Sequence, residues 1–294
     1  MTDQGVVYDL GYRPHDGPRL GRSGAVRATI KDGLRRMFGI RRRARKKVLP
    51  FVLFGVALLP AVVFVGLVFL TSQIATGDLI ETPFADHATY FDIAAGTVLL
   101  FCALSGPELL IPDRVEGVLA VYSSRPMTVF DYLGARATAL ALGVGAFMLV
   151  PQLVLYLGFA ALASDGFVSH LVTNADDLLR ILASALFYLL AYGAPAFLVS
   201  VYAKRLAPAT GVYLGVFVGL GAAADGFSSS GAQWTAIGAI ADHPSVVRDW
   251  IFDTTPAQLV PVRAGLDPWV SVVVILAITV LALYAAVRRY RSLM

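Results

Sequence analysis

A chain of 294 residues that is 57% hydrophobic and only 15% charged, with a mean hydropathy of +0.70, departs from water-soluble domains, whose charged share is about 25%. Its net charge of +4 does not point to nucleic acid, because the basic residues gather beside apolar runs. The single cysteine, Cys102, excludes an intramolecular disulfide and reads as a small packing residue.

Residues 1–21 are rich in Gly, Pro and Arg, lack the apolar centre of a cleaved signal peptide, and are expected to form a flexible cytoplasmic tail. Over 22–47, Val26, Ile30, Leu34, Met37 and Phe38 recur at helical spacing, with Arg27, Lys31, Arg35, Arg36 and Arg41 on other faces. That pattern predicts an amphipathic interfacial helix, lying on the inner membrane surface or packed on a soluble partner. The cluster Arg41, Arg42, Arg43, Lys46 and Lys47 precedes an apolar run. There it sets topology and anchors to anionic lipid head groups, each cation contributing about 1 kcal/mol.

Six apolar runs follow: Val48–Leu70, Ile93–Ile111, Ala137–Leu162, Ile181–Ala203, Leu206–Ala224 and Pro268–Val287. Each approaches or exceeds the ~20 residues that cross a bilayer as a helix, which satisfies its own peptide groups. Only the second holds a charged residue, Glu108. The fold expected is an all-α integral membrane domain over 48–290, with spans at about 48–70, 91–111, 133–162, 181–203, 206–224 and 268–287. Pro60, Pro151 and Pro195 should kink spans one, three and four. On alternate loops, 21 of the 24 basic residues fall on one side, which places both termini in the cytoplasm. The opposite side holds Arg180, Arg248 and Arg263 with twelve acids.

Lys204 and Arg205 alone join spans four and five, a tight hairpin. In span five Gly211, Gly215 and Gly219 leave one helix face bare, for a contact within the chain, a subunit interface or a movable contact beside a pathway. Phe101, Tyr213 and Phe217 are candidates for lining that pathway or for packing. The long outer loop 225–267 contains apolar stretches around Asp242-His243-Pro244-Ser245, and short helices packed against the spans are expected there. His87, His170 and His243 fall one in each outer loop. They read as scattered surface histidines rather than an external metal site.

The inner segment 112–132 is longer than a connector needs, and a short helix is expected over Val115–Ser123. It reads Asp113-Arg114, then Gly117-Val118-Leu119, Ser123-Ser124-Arg125-Pro126, and Tyr132-Leu133 with Arg136 opening span three. On these residues the chain resembles the membrane-spanning permease subunits of type 2 ATP-binding-cassette exporters. It departs from them at Val118, where threonine is usual, and at Arg136, where lysine is usual. The resemblance implies a permease pairing with a second permease subunit, identical or not, and driven by cytoplasmic ATPase subunits that bind ATP and Mg. It implies that Asp113, Arg114, Glu116, Gly117 and Arg125 contact those ATPases. Glu108 is expected to pair with Arg114 or Arg136, to share in coupling, or to transfer a proton.

The chain itself is not expected to be an enzyme. None of its lysines (Lys31, Lys46, Lys47, Lys204) follows the glycine of a phosphate-binding loop. No cofactor of its own and no nucleic-acid partner are expected. A plasma membrane, with the arginine, alanine and valine bias of a GC-rich bacterial genome, is the expected setting. A non-transporting scaffold or sensor, or a gradient-driven secondary transporter, are the competing readings.

Overall fold

The computed structural model of the chain describes residues 20–40, 45–74, 86–123 and 127–293. Arg41, Arg42, Arg43 and Arg125 lie outside the described residues, as does the Lys46 side chain. Among the described residues all regular structure is helical. Among the described residues six helices are long and apolar enough to cross a membrane: Lys47–Gln73, His87–Val115, Val129–Leu162, Ala175–Tyr202, Leu206–Ser229 and Pro268–Arg291.

Helix α1 (Gly21–Met37) leads into α2 (Arg45–Ile74), α3 (His87–Val115), the short α4 (Leu119–Ser123) and α5 (Val129–Leu162). Helices outrun their apolar runs because caps, not hydropathy, decide where a helix begins. Asp86 caps α3, accepting from the Thr89 amide at 2.7 Å, so His87, expected in a loop, sits in the first helical turn. Thr128 and Asp131 form a capping box that starts α5 four residues before the expected span. The helix expected over 22–47 divides. α1 stops at Met37 on a backbone turn in which Ile40 N–H donates to the Arg35 carbonyl at 2.8 Å, and a new helix starts at Arg45.

After the short α6 (Phe167–Thr173), the fourth long helix is built from α7 (Ala175–Tyr188), a π-turn (Leu189–Gly193) and α8 (Ala194–Tyr202). Pro195 has no N–H for the preceding turn, and the wider π-turn absorbs the mismatch. Pro60 and Pro151 lie inside continuous helices. α9 (Leu206–Ser229) and α12 (Pro268–Arg291) complete the set. α3, α5 and the fourth helix occupy the centre, whereas α2 and α9 are peripheral and leave most of their apolar surface uncovered.

Residues between α9 and α12 form a layer rather than a loop: a 3₁₀ turn (Gln233–Gly238), α10 (His243–Phe252) and α11 (Val260–Arg263). Pro244 occupies the first turn of α10, as its spacing predicted. α10 packs on α7, α12 and α3, and His243 through Asp249 are all buried.

Candidate functional site

The segment 112–132 singled out by the sequence adjoins a buried charge cluster. Asp113 lies in the last turn of α3 and Arg136 in the second turn of α5, and both side chains are at 0% exposure. A buried charge needs partners, since desolvation of each ion costs several kcal/mol. Arg136 Nη2 reaches Asp113 Oδ2 at 2.5 Å, and the Tyr132 hydroxyl donates to the same oxygen at 2.9 Å. Helix α1 supplies the remaining members. Asp32 lies 3.0 Å from Arg136 and 2.8 Å from Arg36, one turn along its own helix. Arg36 Nη1 in turn lies 2.8 Å from Asp113 Oδ1. That last pair is close enough for ionic attraction but out of line for a hydrogen bond, which leaves Oδ1 without a donor. The four charges sum to zero.

α1 is held against this cluster by shape as well as charge. Gly33 faces α5, and a Cβ there would stand 2.7 Å from Ala139 Cβ and 3.1 Å from Leu109 Cδ2, so only glycine permits this approach. At the start of α1, Arg22 donates two hydrogen bonds of 2.8 Å to Asp131, the residue that caps α5. At its other end Phe38 packs on Phe101 and Phe147, whose rings stack at 4.2 Å between centroids. The helix expected over 22–47 thus packs one face on its own bundle, while Arg27 and Lys31 on the other stay exposed.

Two further ties run outward from the cluster. Tyr132 stacks on Tyr290 of α12 at 5.5 Å. Arg114 turns to the end of α8, donating to the Ser200 carbonyl at 3.1 Å and to those of Val201 and Ala203. A cation there complements the negative end of the helix and the carbonyls its last turn leaves over. One patch of side chains thus joins α1, α3, α5, α8 and α12.

The expected coupling residues therefore separate into two groups. Asp113 and Arg114 are internal struts, occupied by the fold, rather than exposed contacts. Glu116 and Gly117 are exposed at the bend that follows, beside Val115, which is 60% exposed. Gly117 has φ of +72° and ends α3, its amide neighbour Val118 donating back to Asp113. Nothing of this chain lies within 4 Å of a Cβ built on it, so within the chain its glycine serves the bend. The helix expected over Val115–Ser123 is reduced to α4, because this bend interrupts it. Glu108 is half-buried one turn back from Pro112, while Arg114 and Arg136, its expected partners, point to α8 and to Asp113 with Asp32.

Of the candidate pathway residues, Phe101, Tyr213 and Phe217 are buried within the chain. Tyr213 donates to the Tyr192 carbonyl at 3.0 Å and its ring lies 4.7 Å from that of Phe217. Gly211, Gly215 and Gly219 lie on the opposite, outward face of α9, with nothing within 4 Å of a Cβ at any of them. The contact within the chain considered for these glycines is not made. Lys47 is exposed at the start of α2.

The histidines lie apart. His87 Nδ1 sits 2.6 Å from the Gln152 amide oxygen, and His170 lies 3.9 Å from Asp165. His243 Nε2–H donates to the Ile237 carbonyl at 3.0 Å, which leaves Nδ1 to accept from the Ser271 hydroxyl at 2.9 Å. Burial pushes the His243 imidazole below its ordinary pKa of 6.5 and keeps it neutral.

Sequence reasoning missed Asp32, Arg36 and Tyr290. Asp32 had left a signal, as the one acid in the basic stretch 22–47, four residues before Arg36. It also missed Arg248, which is 2% exposed and held by Asp92, Asp249 and the Ala88 carbonyl. No protein-family model matches the chain, and no curated protein matches it.

Proposed function

We propose that this chain is the membrane-spanning permease subunit of an ATP-driven exporter, working as a dimer in a cell membrane. Separate cytoplasmic ATPase subunits, binding ATP and Mg, provide the energy. The observation that carries the reading is the charge cluster, which ties α1, the bend at Gly117 and the ends of α8 and α12 into one unit. A push on that unit is carried to several long helices at once, because parting Asp113 from Arg136 would strand buried charge.

Within this reading Glu116, Gly117 and Arg125 form the contact with the ATPase, and Asp113, Arg114 and Arg136 transmit its movement. Charged groups at such a contact set register and partner choice. The bare face of α9 at Gly211, Gly215 and Gly219 is the place for the second permease subunit, where helices without side chains between them pack closely. The basic cluster around Lys47 holds the cytoplasmic ends at the membrane surface.

Purification in mild detergent from the native membrane should recover a nucleotide-hydrolysing partner in fixed stoichiometry. Glu116→Lys with Arg125→Glu should release that partner while the thermal unfolding of the permease stays where it was. Recovery of the wild-type chain alone, with no ATPase activity in the preparation, overturns the reading.

A further inference from the structure

We propose that the seam between α5 and α12 seats one anionic glycerophospholipid, with a tail in an apolar groove and its phosphate at Arg291. The inference rests on the chain being embedded in a membrane. α5 and α12 run antiparallel in a register marked by two contacts near one end. Tyr132 stacks on Tyr290, and the Arg291 guanidinium lies 5.4 Å from the centroid of the Phe130 ring. Two turns further in, the same register brings Ala137, Thr138 and Ala141 level with Leu283, Ala282 and Thr279. There the helices do not close. These residues wall a groove of about 330 Å³, whose third side is the π-turn and the start of α8.

The sequence explains the opening. Ala137, Ala141, Ala282, Gly193 and Ala194 are too small to fill the space between α5, α12 and the π-turn. The groove lies inside the apolar stretches of three long helices, so its neighbour is hydrocarbon and a tail is the occupant at hand. Its size is at the low end of small-ligand sites, roughly 300–1000 Å³, and fits one tail rather than a whole lipid.

Charge selects the head group. Arg288, Arg289 and Arg291 occupy the last turn of α12, and among the described residues none of them has a carboxylate partner. Asp131, next to Phe130, is already taken by Arg22 and Thr128. Arg291 lies eight residues from Leu283, or ~12 Å along the helix. A phosphate at that arginine therefore sends its tails toward the groove.

Native mass spectrometry of the full chain in mild detergent tests this, with phosphatidylglycerol and phosphatidylcholine of identical tails. Wild type should retain one phosphatidylglycerol in preference to phosphatidylcholine, and Arg291→Gln should lower that preference about fivefold. Ala141→Trp, or Thr279→Phe from the facing wall if the first does not fold, should abolish retention of both lipids. Leu142→Trp, on the adjacent exposed face, should leave retention unchanged. Undiminished retention by a filled-groove variant overturns the seat, and equal retention of the two lipids by wild type overturns the head-group assignment. A wild-type chain that stays in the aqueous fraction of lysed cells without detergent overturns the membrane reading itself, a result distinct from both.

Discussion

The bundle buries an arginine at each end, and the two are held in opposite ways. Arg136 draws its partners from α1 and α3, far apart in sequence, and the acid it meets most closely, Asp113, is as buried as itself. Arg248 is paired with the residue beside it, Asp249, and with Asp92, which is 44% exposed. Each arginine meets one buried acid and one that water reaches, Asp113 with Asp32 at the first end and Asp249 with Asp92 at the second, but only at the first do both acids come from other helices. The same residue is thus a strut among helices in one place and a staple for a surface layer in the other, and the cost of removing a partner should differ accordingly.

The largest effect should follow from Asp113→Ala, which leaves Arg136 and Arg36 facing each other with only Asp32 between them. Breaking a buried pair from one side costs about 3–5 kcal/mol, read as a large fall in the unfolding midpoint in detergent. Asp113→Leu combined with Arg136→Met should recover part of that loss, because no buried charge is then stranded. A double variant no better than the single one would show the cluster to be ordinary packing.

Gly33→Val comes next, at about 1–3 kcal/mol, since α1 must lift from Ala139 and Leu109. Protease cleavage within α1 should become faster while the remaining helices stay intact. Arg248→Met should cost less than Asp113→Ala, about 1–3 kcal/mol, because Asp92 can turn to water and Asp249 keeps its bonds from the Thr254 hydroxyl and the Ala257 amide. Equal losses at Asp113 and Arg248 would erase the distinction between the two ends.

The smallest effect is the pH response of the α10 layer. His243 is neutral in the fold and its pKa is lowered, so the unfolded chain takes up a proton first as pH falls. Stability from this group is complete above about pH 6.5 and declines below it, until the folded form protonates too. Unfolding midpoints measured between pH 7.5 and 5.5 should fall less steeply in His243→Gln. Identical slopes would place the pH dependence elsewhere.

Much of this was legible in the chain. Six apolar runs announced six long helices, because a segment of that length without charge has few other stable states. Helix ends were less legible: Asp86, Thr128 and Asp131 extend α3 and α5 past their apolar runs through local hydrogen bonds that hydropathy does not register. The charged segment around Gly117 was visible as unusual, but the fate of its charges was not. Asp113 and Arg114 are adjacent, with the same exposed look in sequence, yet one faces Arg136 and the other the end of α8.

Composition and period were enough to specify the helical class, the six long apolar helices, and the concentration of basic residues on alternate connections. Those properties follow from local composition and period, which act within a span or a turn. Which helices meet fixed the rest: that α1 packs on the bundle, that Asp32 and Arg36 complete the cluster, and that Arg248 of α10 is buried between Asp92 and Asp249. The aromatic candidates turned inward while the glycines of α9 faced outward for the same kind of reason. Each of these depends on which helices become neighbours, and a buried charge or a bare helix face acquires its meaning from residues a hundred positions away.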